Sequence, residues 1–197
     1  MRRLKDSFKL LFNVSKYPLA VMFSGGKDST TVLDLVGRYA LDYQVEKVYV
    51  VYNETWLDPP PIRRWVYGHL KRVEEWAKEH NKPFEVLIIT PPEGKDFFTL
   101  ILERGYALPM IRRHAPWCNK EMKTRPMSKV LRKKLREEGY EKLVYILGSR
   151  ASESPKRRKS LERLGVKSPL TKTRLEYLGE VYLLALIYDW TDDNVFT

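Results

Sequence analysis

Residues 24 to 29 read SGGKDS, with the apolar run PLAVMF leading in and a helical pattern leading out. Gly25 and Gly26 let the backbone turn tightly and approach a ligand with no Cβ in the way. The first turn of the following helix offers unpaired N–H groups and the positive end of its dipole. Lys27 adds a full charge, and Ser24 and Ser29 add hydroxyl donors. These groups suit an anion. Each contact between an anion and a helix terminus contributes only roughly 0.3–2 kcal/mol, so affinity must come from several donors converging on one polyoxygen ligand. Asp28 has two readings that need only a carboxylate: it caps the helix, or it helps to hold Mg²⁺, which prefers oxygen ligands. Capping accounts for an aspartate or a serine here. It does not account for two glycines, a lysine and two serines together. The ATPase pattern GxxxxGK[ST] is a different arrangement and is absent.

A second candidate segment is GSRASESPKRR, residues 148 to 158, directly after the apolar run KLVYIL. A guanidinium at Arg150 suits bidentate phosphate or sulfate binding, with Gly148 beside it and Glu153 placed to orient it. Its competing reading is a surface arginine in a basic loop. Lys123, Arg157 and Arg158 are weaker candidates for phosphate or acceptor binding. His69 falls on an apolar helical stripe and reads as packing. His80 sits near a helix end, where it favours the negative end of the dipole.

The elements that must position these groups follow from periodicity. Leu4, Phe8, Leu11 and Phe12 recur at helical spacing, so residues 1 to 17 read as an amphipathic helix packed on a domain covering residues 18 to 197. PLAVMF (18–23), KVYVVYN (47–53), FEVLIIT (84–90), KLVYILG (142–148) and EVYLLALIYDW (180–190) read as buried strands. Helical patterns lie between them: one from Ser29 through Val32, Leu35, Val36, Tyr39 and Ala40, one from Ile62 to Ala77, FFTLILERGY, and residues 120 to 138 with Met127, Val130, Leu131 and Leu135 on one edge. Residues 149 to about 174 read as a polar, basic loop. Strands alternating with helices predict a single α/β domain of three layers, α/β/α, around a mainly parallel twisted sheet. In such sheets ligands bind outside the carboxyl ends of the strands, which is where SGGKDS and GSR both fall.

The chain of 197 residues carries a formal net charge of +11, with 43% hydrophobic and 31% charged residues, so it is a folded protein and not a disordered one. The basic excess fits either a polyanion partner or a solvated surface of lysine, arginine and glutamate. A single cysteine, Cys118, rules out an internal disulfide and any four-cysteine iron–sulfur or zinc site made by one chain. No apolar run is long enough to span a bilayer. A cytoplasmic protein with no membrane association is expected.

SGGKDS resembles the PP-loop signature SGGxDS of the ATP pyrophosphatase superfamily, whose members bind the phosphates of ATP and usually cleave between the α and β phosphates. WCNKEMKTRP (117–126), GSRASESPKRR (148–158) and DWTDDNVF (189–196) are similar to segments of the phosphoadenosine phosphosulfate reductase-like family within it. The resemblance implies an adenine nucleotide alpha hydrolase-like fold. ATP or an adenylyl sulfonucleotide would bind at Ser24, Gly25, Gly26, Lys27, Asp28, Ser29, Gly148 and Arg150, with Tyr52 and Asn53 lining the adenine or ribose region by position. It further implies nucleotide activation at the α phosphorus with release of pyrophosphate, linked to sulfur metabolism or sulfur transfer, in which Lys27, Asp28 and Arg150 carry the chemistry and Asp28 helps to hold Mg²⁺. The family's thiol reductases attack with a cysteine near the C-terminus, after the D-W segment, and this sequence ends just beyond that segment. Cys118 belongs instead to the middle segment, where the resemblance implies a structural or pocket-lining side chain, the competing reading being a nucleophile beside Lys120 and Lys123. The missing cysteines argue for a chain with no iron–sulfur cluster. Two alternatives stay open: a tRNA- or DNA-modifying protein, in which Trp117 and Tyr140 stack on bases or pack in the core, and a non-catalytic nucleotide-binding subunit that needs a protein partner. A homo-oligomer is also open.

Overall fold

The computed structural model describes residues 2–108, 117–163, 170–175 and 178–196. Six strands form one sheet: β1 (Leu19–Phe23), β2 (Val48–Asn53), β3 (Phe84–Ile89), β4 (Val144–Ile146), β5 (Leu170–Leu175) and β6 (Gly179–Leu184). Their spatial order is β3-β2-β1-β4-β6-β5, all parallel except for β5, which runs antiparallel to β6. The helices are α1 (Arg2–Val14), α2 (Lys27–Asp42), α3 (Pro60–Glu79), α4 (Phe97–Leu102), α5 (Trp117–Asn119), α6 (Arg125–Glu137), α7 (Pro155–Arg163) and α8 (Asp192–Phe196), with a π-helical turn at Lys120–Thr124. This is the expected α/β architecture, an adenine nucleotide alpha hydrolase-like fold.

The central strands are apolar throughout because both of their faces are covered. Leu19, Val21 and Phe23 of β1 and Val48, Val50 and Tyr52 of β2 face one layer, where Leu11 and Val14 of α1, Val32 and Val36 of α2, and Val66 and Leu70 of α3 meet them. Ala20, Tyr49 and Val51 face the opposite layer, against Met127, Leu131 and Leu135 of α6. The α2 residues read from periodicity, Val32, Leu35, Val36, Tyr39 and Ala40, are all buried. Pro60 and Pro61 open α3, where a missing N–H costs no intrahelical bond. The α1 stripe is narrower than its spacing implied, since Phe12 is exposed.

Residues 149 to 174 correct the sequence reading of a loop. They contain α7 and the edge strand β5, which pairs with β6 from Leu170↔Leu184 to Leu175↔Gly179. LTKTRL alternates apolar, hydroxyl and basic residues, so it lacks the continuous hydrophobic run of a central strand. Lys172 and Arg174 are suited to an edge, where charge discourages pairing with another sheet.

The topology fixes where a ligand can sit. The chain runs outward from β1 to β2 and β3, then crosses back to place β4 on the other side of β1. That reversal opens a crevice beyond the carboxyl ends of β1 and β4. SGGKDS leaves β1 at this point, and GSR leaves β4.

Candidate functional site

Ser24 to Ser29 pass from β1 into the first turn of α2, with Gly26 as the residue before the helix. Ser24, Gly26 and Lys27 are exposed, Gly25 and Asp28 are half-buried and Ser29 is buried. Ser29 stitches the turn together: its Oγ donates to the Gly26 carbonyl at 2.9 Å and accepts from the Ser24 N–H at 3.2 Å. The two hydroxyls of Ser24 and Ser29 also lie 3.2 Å apart. No side chain caps α2. The capping reading of Asp28 and Ser29 therefore falls away.

Gly25 has φ +78°, a left-handed conformation that glycine adopts without strain. A Cβ there would also lie 2.5 Å from Val66 Cγ2 and 3.2 Å from Trp65, so α3 lies directly against the loop. Phe23, His69 and Trp65 stack under this contact, with the His69 ring 5.2 Å from Phe23 and 5.3 Å from Trp65. Desolvation, and then the charge of Arg72, lowers the His69 pKa, so the ring sits there neutral. His69 is a packing residue, and His80, at the end of α3, lies with Nδ1 2.9 Å from the Trp76 carbonyl oxygen.

Gly148 meets the loop from the β4 side. A Cβ on Gly148 would sit 2.9 Å from both the Ser29 nitrogen and the Asp28 carbonyl carbon. Glycine at this position lets two backbones touch, and it brings Arg150 to the start of α2. Arg150 is 1% exposed, one of the largest fully buried side chains of the described residues. Its Nε donates to Asp28 Oδ1 at 2.9 Å, and its Nη2 donates to Asp192 Oδ1 at 2.9 Å. Burial pulls the Arg150 pKa down, but the bonds to Asp192 and Asp28 outweigh it, and the net shift is upward. Lys27 Nζ also binds Asp192 Oδ1. Lys27 first, and Arg150 second, hold the Asp192 carboxyl below the usual carboxylate range. Two cations, from α2 and from the segment after β4, thus converge on one carboxylate of α8.

Glu153 does not orient Arg150, as the sequence reading had it. Its carboxylate takes Arg157 at 3.0 Å, one helical turn on, while Asp28 and Asp192 orient the buried guanidinium. Arg157 is exposed and engaged in that pair, and Arg158 is exposed beside it. Lys123 is exposed on the π-helical turn. Tyr52 is buried, with its hydroxyl donating to Asp58 at 3.2 Å, and burial is the main cause of its raised pKa. Asn53 follows it at the end of β2. Cys118 is half-buried on α5. Trp117 beside it stacks on Phe97 at 5.7 Å and donates to the Ala107 carbonyl at 2.8 Å, and the Tyr140 hydroxyl donates to Glu46 at 3.2 Å.

Two residues of the site were absent from the sequence reading. Asp192 lies in DWTDDNVF, a segment singled out by resemblance without its carboxylate being paired to anything. Glu54 is fully buried just after β2, accepting from the Trp56 N–H at 2.6 Å, Arg63 Nε at 2.9 Å and the Tyr67 hydroxyl at 3.2 Å. It ties the end of β2 to α3, the helix that covers Gly25. A groove of about 1070 Å³ lies between α2, α3 and α8 and is lined by Thr30, Thr31, Arg72, Trp76 and Trp190 among others. It runs alongside α2 and takes in none of Ser24 to Ser29. Among the described residues no cluster of His, Cys, Asp and Glu forms a metal site, and no helix is long and apolar enough to cross a membrane.

No family profile and no curated protein matches the chain. Among solved structures, the fold is similar to that of the U34-tRNA thiolase NcsA from Methanococcus maripaludis with its [4Fe-4S] cluster, at 12% identity and a TM-score of 0.54. The match covers 99% of this chain and 60% of the thiolase, so the chain spans less than two thirds of that protein's length. A looser likeness, to the NAD⁺ synthetase from Burkholderia pseudomallei, has 15% identity and a TM-score of 0.42 over 85% of this chain and 74% of that one. The thiolase corrects one expectation. A cluster was held to be foreign to this chain because it has one cysteine, yet a protein of the same fold carries [4Fe-4S]. Counting cysteines limits only the ligands that a single copy supplies, and says nothing of ligands from a second chain. Cys118 is the one thiol this chain has to contribute.

Proposed function

We propose that this chain is an ATP-utilising PP-loop enzyme, of the branch that resembles phosphoadenosine phosphosulfate reductases, and that it activates a nucleotide at its α phosphorus. The observation that carries the reading is the placement of SGGKDS at the reversal point of the sheet, with Gly148 packed against its first helical turn. In this reading the amides of Lys27, Asp28 and Ser29 and the backbone at Gly25 and Gly26 take the β and γ phosphates, and Ser24 donates from the rim. An acceptor oxyanion forms a bond to the α phosphorus, the bond from that phosphorus to the bridging oxygen breaks, and pyrophosphate leaves with the electron pair. Such a transfer depends on positioning and on neutralising the leaving group, more than on a covalent group from the protein.

The ion pairs divide the labour between the two cations. The Lys27–Asp192 pair is exposed, at 44% and 64%, and pairs of that kind contribute only about 0.2–1 kcal/mol. A phosphate can displace Asp192 from Lys27 at small cost, and Lys27 then stabilises the departing pyrophosphate. Arg150 is buried between Asp28 and Asp192, so it acts as a positioning residue that holds the first turn of α2 in register with β4. Gly148 lets that contact form, and in this reading Glu153 with Arg157, Lys123 and Tyr52 are candidate contacts to the rest of the nucleotide or the acceptor.

The acceptor has two readings. One is a sulfur oxyanion such as sulfate, from the resemblance to sulfonucleotide enzymes. The other is a nucleic acid, supported by the +11 charge and by a fold neighbour that acts on U34 of tRNA. The test is pyrophosphate release from ATP by the full chain, alone, with sulfate and with tRNA. Acceptor-dependent release supports the proposal and names the acceptor. ATP binding with no release under any condition contradicts the enzymatic reading and leaves a nucleotide-binding subunit.

A further inference from the structure

We infer that the outer face of α6, continued by α7, is a docking surface for the phosphate backbone of a nucleic acid. Met127, Leu131 and Leu135 of α6 are buried against the sheet. Lys129, Arg132, Lys133 and Arg136 are exposed. At about 100° per residue these four cations fall on the side opposite the buried stripe, at i, i+3, i+4 and i+7. Like charges at those separations repel and weaken the helix. Glu137 pairs with Lys133 at 3.7 Å. A polyanion along the stripe is complementary to it in charge.

The stripe extends to a second helix in the same layer. Leu161 of α7 packs on Leu183 and Ala185, and Tyr145 of β4 packs against both that cluster and the one covered by α6. Arg158, Lys159 and Arg163 are exposed on α7. The placement also points to the candidate site. A short connection leads from Glu137 to Val144 at the start of β4, so α6 runs antiparallel to the strands. Arg136 therefore lies toward their amino ends and Lys129 toward their carboxyl ends, where SGGKDS and Arg150 are. From Lys129 to Arg136 the helix rises about 10 Å, which matches about three phosphates of one strand at about 3.4 Å of axis each. In the opposite layer, where α1 and α3 lie, Lys71 is paired with Glu75 at 3.7 Å.

This inference rests on the nucleic-acid reading of the acceptor, and the assay separates the two. Binding of the full chain to labelled tRNA is measured by fluorescence anisotropy over a range of salt concentrations, with duplex DNA, single-stranded RNA and vesicles of phosphatidylserine and phosphatidylcholine as parallel arms. The variant Lys129→Gln/Arg132→Gln/Lys133→Gln/Arg136→Gln is compared with Lys5→Gln/Lys9→Gln/Lys71→Gln/Lys78→Gln, which removes the same charge from the other layer. The α6 variant is expected to lower the slope of log affinity against log salt by about three and to bind at least tenfold more weakly at 0.1 M salt. The control variant is expected to keep the wild-type slope. Equal losses in both variants would reduce the effect to net charge and overturn the inference, as would stripe-dependent binding to vesicles alone. A wild-type chain that binds no nucleic acid at low salt overturns the nucleic-acid reading itself. ATP-dependent stabilisation, unchanged in both variants, reports that they are folded.

Discussion

Arg150 Nη2 lies 2.9 Å from Asp192 Oδ1, a bond between residues 42 positions apart that fastens α8 to the segment after β4. With the second bond to Asp28, one buried guanidinium joins three parts of the fold at the mouth of the crevice. Removing one member of a buried ion pair is costly, because the other is left without its partner. Arg150→Ala is expected to lose about 3 kcal/mol of stability, since Asp28 has only 16% of its side chain exposed. Asp192→Ala, at a carboxylate 64% exposed, is expected to lose about 1 kcal/mol or less. Urea midpoints of the two variants check the ordering. Equal losses would show that the guanidinium is not the strut described here.

The contact between Gly148 and the first turn of α2 leaves no room for a side chain. Gly148→Ala places a methyl group 2.9 Å from the Ser29 nitrogen, against backbone and not against the yielding end of a side chain. The first turn must move, at a cost of about 1–3 kcal/mol, and its amides leave the geometry needed for phosphate. The expected outcome is a folded protein with a lower melting temperature and no ATP-dependent stabilisation. A Gly148→Ala variant with wild-type nucleotide affinity would show that this approach is unrelated to binding.

The ring of His69 gives stability a pH dependence of known sign. Its folded pKa is lowered from 6.5, by burial first and Arg72 second, so the unfolded chain binds the proton more readily. Stability from this site is present above about pH 6.5 and is lost as pH falls through the folded value. His69→Phe keeps a ring between Phe23 and Trp65 and removes the titration. The wild-type melting temperature is expected to fall between about pH 6.5 and 5 more steeply than that of the variant. Parallel profiles would assign the slope to other groups.

The fold was legible where the physics is local. Five of the strands announce themselves as apolar runs, the central ones because they are buried on both faces, and SGGKDS announces itself because glycine, lysine and serine act within one turn. β5 was not legible, since an edge strand such as LTKTRL carries its charges in the strand itself. The partners of Arg150 were not legible either. GSR located the guanidinium, but Asp28 is 122 positions away and Asp192 is 42, and no spacing rule connects them. Glu153 was the nearer carboxylate in sequence, and local pairing drew it to Arg157 instead. Glu54 was hidden for a related reason: a carboxylate after a strand reads as a loop residue until Arg63, Tyr67 and the Trp56 amide are seen around it.

The central claim is that residues 24 to 29 hold a polyphosphate, and calorimetric titration of ATP and of inorganic tripolyphosphate into the wild type and Lys27→Ala tests it most directly. Lys27 meets Asp192 in an exposed contact, so the variant is expected to fold with a stability change of about 1 kcal/mol or less. A charge-assisted bond to phosphate contributes about 1.5–3 kcal/mol, so both ligands are expected to bind the wild type and to lose about 10- to 100-fold in affinity on substitution. A wild-type chain that takes up neither ligand, or a Lys27→Ala variant that binds both as tightly as before, would contradict the account.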